Sequence, residues 1–231
     1  AVGARYVLAG THADHARTML RMGVGMAAVL APLQLFIGDQ HGLDVAHYQP
    51  AKLAAIEGHW DSKEGAAPLI LFGIPNDRTQ HLDYALGIPK LGSLILEHDP
   101  NAPMAGLDTV PDDQQPPAAI IFWSFRIRVG LWLLMFALGA AAFWARWRGR
   151  LYEWRPLHWF SLAMSPMGSV AIIAGWVTTE VGRQPWLVYG HLRTAQGVGP
   201  VGAPAVATSL LAFVVIYFAV FGVGIWYMLR L

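Results

Sequence analysis

The chain has 231 residues, of which 55% are hydrophobic and 13% charged, with a formal net charge of +1. A soluble domain carries about 25% charged residues, so the composition excludes an ordinary soluble protein and points to the bilayer, while the net charge says nothing about partners. The absence of cysteine excludes disulfides, thiolate metal sites and iron–sulfur clusters, and leaves the redox compartment unread.

Residues 1–18 are polar, start at Ala1 without a signal-peptide pattern, and carry Arg5 and Arg17. The first candidate span is 19–37, MLRMGVGMAAVLAPLQLFI, interrupted by Arg21, Pro32 and Gln34. Residues 38–117 form a loop too long for a mere connector. Within it, Ala51 to Trp60 reads as a short amphipathic helix with Leu53, Ile56 and Trp60 on one face. Lys52 and Glu57 lie five apart, off that face on neighbouring sides. The later stretch from Leu69 to Leu96 repeats Ile-Pro and suits extended segments or turns. Residues 99–117, DPNAPMAGLDTVPDDQQPP, have the composition of a linker.

Three further spans follow at 118–145, 159–180 and 205–231, each near or above the roughly 20 apolar residues that cross a hydrocarbon core. Helix is the default there, because an isolated span must satisfy its own backbone hydrogen bonds. Residues 146–158 hold Arg146, Arg148, Arg150 and Arg155, which makes this short loop cytoplasmic by the positive-inside bias. The long loop 38–117 and the loop 181–204 then fall outside. The expected fold is an all-α integral membrane protein with four transmembrane helices and a long extracytoplasmic loop, part of a larger helical bundle.

The chemistry concentrates at a few positions. Glu180 ends a span: either it snorkels to water, or it ligates a metal or haem iron, or it serves a proton pathway. Arg183, three residues on, either pairs with Glu180 or faces an anionic cofactor group such as a haem propionate. Trp176 lies one turn before Glu180, where an aromatic is usually packing, and Trp186 suits an interfacial belt. Arg126 and Arg128 interrupt an apolar run, at about 2.5–3.5 kcal/mol each near mid-membrane. They sit near its outer end, where both can snorkel. Being two apart, about 200° around a helix, they cannot face the same partner. None of the nine histidines lies within a predicted span, so the chain offers no obvious buried haem with two histidine ligands. No phosphate loop, dinucleotide glycine motif, zinc-protease motif or nucleophile elbow is present.

Five ordered motifs carry a resemblance across the chain: GDQHG at 38–42, QPAKLAAIEGHW at 49–60, IPKLGSLIL at 88–96, FWSFRI at 122–127 and GRQPW at 182–186, the last preceded by Trp176 and Glu180. Together they resemble subunit I of cytochrome bd-type quinol oxidases. The resemblance covers the last four spans and the external quinol loop, and implies that the chain is the C-terminal part of a subunit whose N-terminal half, outside this sequence, holds the haem-ligating histidines and proton-channel acids. It implies that Glu180 is associated with the iron of the high-spin haem b. Arg183 would share that haem's polar surroundings, Trp176 would lie among the haems, and Arg126 would stand beside the low-spin haem b. It implies that Lys52 and Glu57 bind and oxidise quinol. The implied cofactors are low-spin and high-spin haem b, with haem d or a further haem b at the oxygen site. The implied partners are subunit II, a small accessory subunit, quinol, O2 and the bilayer, with no nucleic acid. The implied location is the bacterial cytoplasmic (inner) membrane, multi-pass, with the quinol loop on the periplasmic side. The implied activity is quinol:oxygen oxidoreduction that contributes to the proton gradient.

One position departs from the pattern. Where the family has a methionine that ligates the low-spin haem, this chain has Arg128. A guanidinium stays protonated and offers iron no lone pair. Met135 lies two turns along the same face, about 10 Å away. A non-catalytic fragment or scaffold without competent haem ligation is therefore the alternative to the oxidase. A transporter using Glu180 as its proton site is a third reading, without support in the loops.

Overall fold

The computed structural model describes residues 1–230, without the side chains of 13, 63–65 and 228–230; Leu231, the end of the last predicted span, lies outside the described residues. Two compact units, 1–193 and 194–231, are described separately.

The first unit opens with α1 (Val2–Ala9) and α2 (Ala13–Tyr48). The 36-residue α2 overruns the predicted span at both ends and passes through Pro32. Proline removes one ladder donor and crowds the preceding turn; beside it, Trp132 donates its indole N–H to the Ala31 carbonyl at 3.3 Å. Beyond Ile37, where the loop was expected to begin, the helix persists because positions 38, 39, 42, 43, 45 and 46 form one partly covered face.

After a break at Gln49 comes α3 (Pro50–Glu57), then β1 (Lys63–Ala66), β2 (Leu69–Asn76), β3 (His81–Ile88), α4 (Leu91–Glu97) and β4 (Pro103–Met104). Strands β2 and β3 pair antiparallel, as do β1 and β4. The Ile-Pro repeats thus lie in a hairpin, but its expected extended continuation does not follow, since Leu91–Glu97 is helical. The β2–β3 turn is closed by Asn76, whose Oδ1 accepts the amides of Arg78 and Thr79 at 3.1 and 3.2 Å.

The segment expected to be a linker is packed. Leu107 is 1% exposed and its amide donates to the His59 carbonyl at 3.0 Å. Asp108 accepts the hydroxyl and the amide of Ser62 at 2.5 and 3.0 Å, which hold its carboxyl below the usual range. Buried Ser93 accepts the Ala67 amide at 2.7 Å and donates to the Ala102 carbonyl at 2.8 Å. Polar composition hid these contacts, because few side chains make them and backbone makes the rest.

Helix α5 (Ala118–Trp147) follows, its Ala119 amide held by the Asp77 carboxylate at 3.2 Å. The predicted span 159–180 is instead two helices, α6 (Arg155–Ala163) and α7 (Met167–Gly182), bent by 40° at a break that contains Pro166. Strands β5 (Trp186–Val188) and β6 (Leu192–Arg193) close the unit as a short hairpin. At the arginine-rich end, Ala4, Leu20, Ala142, Ala145, Leu151 and Leu157 form one buried cluster. His158, expected only at a span edge, is fully buried there and donates Nε2–H to the Leu151 carbonyl at 2.8 Å.

The second unit holds α8 (Ala203–Arg230), with Phe213, Tyr217 and Phe221 stacked along it at 6.2 and 5.8 Å. Among the described residues three helices are long and apolar enough to cross a membrane, and four spans result if the bent pair α6–α7 counts as one. The fold is mostly helical and membrane-spanning, with small hairpins confined to the loops.

Truncating Leu107 to alanine should loosen residues 99–117, at a cost of about 2–5 kcal/mol. Amide exchange across that stretch should accelerate; unchanged protection would mean that Leu107 does not hold it.

Candidate functional site

Helix α3 is the structural centre of the site. Pro50 starts it and Gly58 ends it with φ at +70°, where a Cβ would also meet the Phe122 ring at 3.0 Å. All of its positions from Ala51 to Glu57 are buried. The expected single apolar face is therefore exceeded: Ala51, Ala54, Ala55 and Ile56 pack with Trp60, Leu107, Ala118 and Ile121, while Lys52 and Glu57 are enclosed as well.

Glu57 is 3% exposed, and its Oε2 makes no hydrogen bond. The Arg126 guanidinium comes within 3.9 Å, too far for a hydrogen bond but close enough for attraction. Burial raises the Glu57 carboxyl to about 7, and Arg126 partly opposes the rise.

Arg126 does not snorkel. Its Nη1 donates to the carbonyls of Ile56 and Phe122 at 2.7 and 3.2 Å, and its Nη2 to that of Ile70 at 2.7 Å. Its guanidinium carbon lies 3.3 Å from the centre of the Phe122 ring. One side chain of α5 thus ties together α3, β2 and its own helix. Arg128 points elsewhere, as the 200° separation requires. It runs over Gly175 of α7, where a Cβ would be 3.1 Å from its Cδ. Close by, Ser124 and Thr178 join α5 to α7 at 2.8 Å.

Lys52 faces α7. Its stem crosses Gly182, where a Cβ would lie 2.9 Å from Cε, and its Nζ donates to Gln49 Oε1 at 3.1 Å. Burial lowers its pKa; the nearby charge of Glu180 opposes this, and that of Arg183 adds to it. On the same turn, Arg183 Nε donates to Glu180 Oε2 at 2.8 Å, with both side chains part-exposed. Such a pair contributes little stability, about 0–1 kcal/mol. Trp176 is 65% exposed, so within this chain it is not the packed aromatic expected of a span.

The structure thus brings Glu57 to Arg126 and Lys52 to the Glu180–Arg183 pair, and leaves Trp176 on an open face of α7. Sequence reading missed Gln49, Gly182, Ser124 and Thr178. Gln49, Gly182 and Ser124 stand inside the quoted motifs, but only their contacts with Lys52 and Thr178 single them out.

Raising the Glu57 pKa above its unfolded value means that folding favours the protonated form. The stability gained is complete below about pH 4.5 and is lost as pH rises through about 7. Amide exchange in α3, corrected for intrinsic rate, should therefore accelerate between pH 5 and 8, and Glu57→Gln should flatten the profile. An equally steep profile in the variant would assign the effect to another group.

Similarity to known proteins follows the same outline. The cytochrome bd-II ubiquinol oxidase subunit 1 of Escherichia coli (strain K12) is 27% identical, over 94% of this chain and 55% of that protein. The cytochrome bd ubiquinol oxidase subunit 1 of Bacillus subtilis (strain 168) is 29% identical, over 86% of this chain and 44% of that protein. The solved bd oxidase of Geobacillus thermodenitrificans superposes with a TM-score of 0.78 at 32% identity, over 94% of this chain and 50% of that one. The chain therefore spans about half the length of these relatives. The family model for cytochrome bd terminal oxidase subunit I matches residues 1–231, and the chain belongs to that family.

Proposed function

We propose that this chain supplies the quinol-oxidising loop and part of the haem surroundings of a terminal quinol oxidase of the inner membrane, working with subunit II and a small accessory subunit, with the loop on the periplasmic side. The observation that carries this is the pairing of a buried carboxylate poised near pH 7 with a buried lysine on one helix of the external loop.

A quinol gives up two electrons and two protons, and two quinols supply the four electrons that reduce O2 to two waters. A general base works best when its pKa lies near the working pH, which suits Glu57 to accept a quinol proton. Lys52 keeps donors beyond its bond to Gln49 and can orient a quinol oxygen with them. Arg126 holds the Ile56 and Ile70 carbonyls, fixing Glu57 and excluding water around it. If quinol protons leave on the loop side while protons for water are drawn from the other, turnover contributes to the proton gradient.

Haem groups supply electron relay and O2 reduction in such an enzyme. For the high-spin haem b the residues fit. Glu180 is a part-exposed carboxylate whose Oε1 makes no described hydrogen bond, and Trp176 offers an open indole one turn away. Among the described residues no group of three His, Asp or Glu converges, so Glu180 would act as a single donor, with Arg183 steadying it. For the low-spin haem, position 128 does not fit: the Arg128 guanidinium has no free lone pair and lies against Gly175. That misfit favours the second reading, a subunit without competent ligation at that haem.

In the complete oxidase carrying this chain, Glu57→Gln and Lys52→Ala should each cut quinol-dependent oxygen uptake by at least about tenfold. Haem content and uptake driven by an artificial electron donor should persist. Equal loss with both donors would remove the quinol role. On the second reading the unchanged protein lacks a low-spin haem b band in reduced-minus-oxidised spectra and Arg128→Met gains it; the same band in both would mean that another ligand serves and would remove that reading.

A further inference from the structure

The end of the first unit remote from α3 carries a feature that quinol chemistry does not use. Segments 1–21 and 146–158 hold seven arginines against two carboxylates, Asp14 and Glu153. Two of these arginines, Arg21 on α2 and Arg146 in the last turn of α5, line two cavities at once. A cavity of about 280 Å³ is completed by Gly149, Leu151 and Tyr152. A groove of about 790 Å³ runs between α2 and α5 past Met22, Met26, Val29, Phe136 and Phe143 to Pro32. Apart from the two arginines its wall is uncharged.

Both arginines are exposed, and among the described residues neither meets a carboxylate. Small residues open the groove: at Gly139 a Cβ would stand only 3.4 Å from the Ala27 backbone, so the helices approach closely at its floor. From Arg21 to Pro32 the helix rises about 16 Å at 1.5 Å per residue. One leaflet is about half of a hydrocarbon core roughly 30 Å thick. The groove therefore has the depth of a single leaflet, an apolar wall along that depth and two unneutralised guanidinium groups at its mouth. An amphiphile with a phosphate head and an acyl chain one leaflet long satisfies all three. A polypeptide helix in the groove would match both charges only if it carried carboxylates at that mouth.

We propose that this groove holds an anionic phospholipid, its phosphate against Arg21 and Arg146 and one acyl chain between α2 and α5, in the leaflet on the arginine-rich side.

The test uses the complete oxidase in nanodiscs doped with photoactivatable phosphatidylglycerol or with phosphatidylcholine bearing the same reactive acyl chain. Cross-linked peptides are read by mass spectrometry. Peptides containing Met22, Met26 and Phe143 should be labelled roughly tenfold more by the anionic lipid. The double variant R21Q/R146Q should lose that preference, while R78Q, in the distant hairpin turn, should keep it. The comparison of lipids in the unchanged protein needs no variant to fold. Equal labelling by the two lipids, or no labelling because another polypeptide covers the groove, would overturn the proposal.

Discussion

A single guanidinium ties together three stretches of chain, α3, β2 and α5. Arg126 stands inside an apolar helix, where an unpaired charge costs several kcal/mol. Its donors reach the carbonyls of Ile56, Ile70 and Phe122. Charged hydrogen bonds of this kind contribute about 1.5–3 kcal/mol each, so the cost of burying Arg126 is offset only while the loop stays docked. The loop in turn is docked because its carbonyls find donors there. Each half of the arrangement therefore stabilises the other, beside the apolar packing of α3 on Ala118 and Ile121.

Helix α3 inherits its properties from this constraint. Short helices are marginal in water, yet α3 is buried at every position from Ala51 to Glu57, because α2, α5 and α7 all pack against it. Glu57 meets the α5 side, where burial without a hydrogen bond raises its pKa. Lys52 meets the α7 side, where glycine at 182 leaves room for its stem. The same helix thereby places a buried carboxyl near Arg126 and an ammonium near the Glu180–Arg183 pair. The two groups of motif residues are thus joined through one eight-residue helix.

Much of this was legible in the sequence. Long apolar runs revealed α5 and α8, since a span leaves a signal many residues wide. The opposed directions of Arg126 and Arg128 followed from helical geometry alone. The illegible parts depend on contacts distant in sequence. The continuation of α2 to Tyr48 rests on one partly covered face in a stretch rich in polar residues. The order of residues 99–117 rests on backbone bonds to His59 and Trp60, which composition does not encode. The bend between α6 and α7 hid inside an apolar run, although Pro166 was visible there. At the site, motif residues were identifiable as types, but the burial of Glu57 and the fit of Lys52 over Gly182 appear only once α3 is packed.

The most direct measurement is amide exchange in the complete oxidase carrying Arg126→Met, an apolar replacement that removes every donor. Loss of the guanidinium should release α3 and β2 together, raising exchange at both by roughly a hundredfold, while the buried cluster around Ala142 and Leu157 keeps its protection. Undiminished protection of α3 in that variant would contradict the account, because the helix would then be held in place without the arginine.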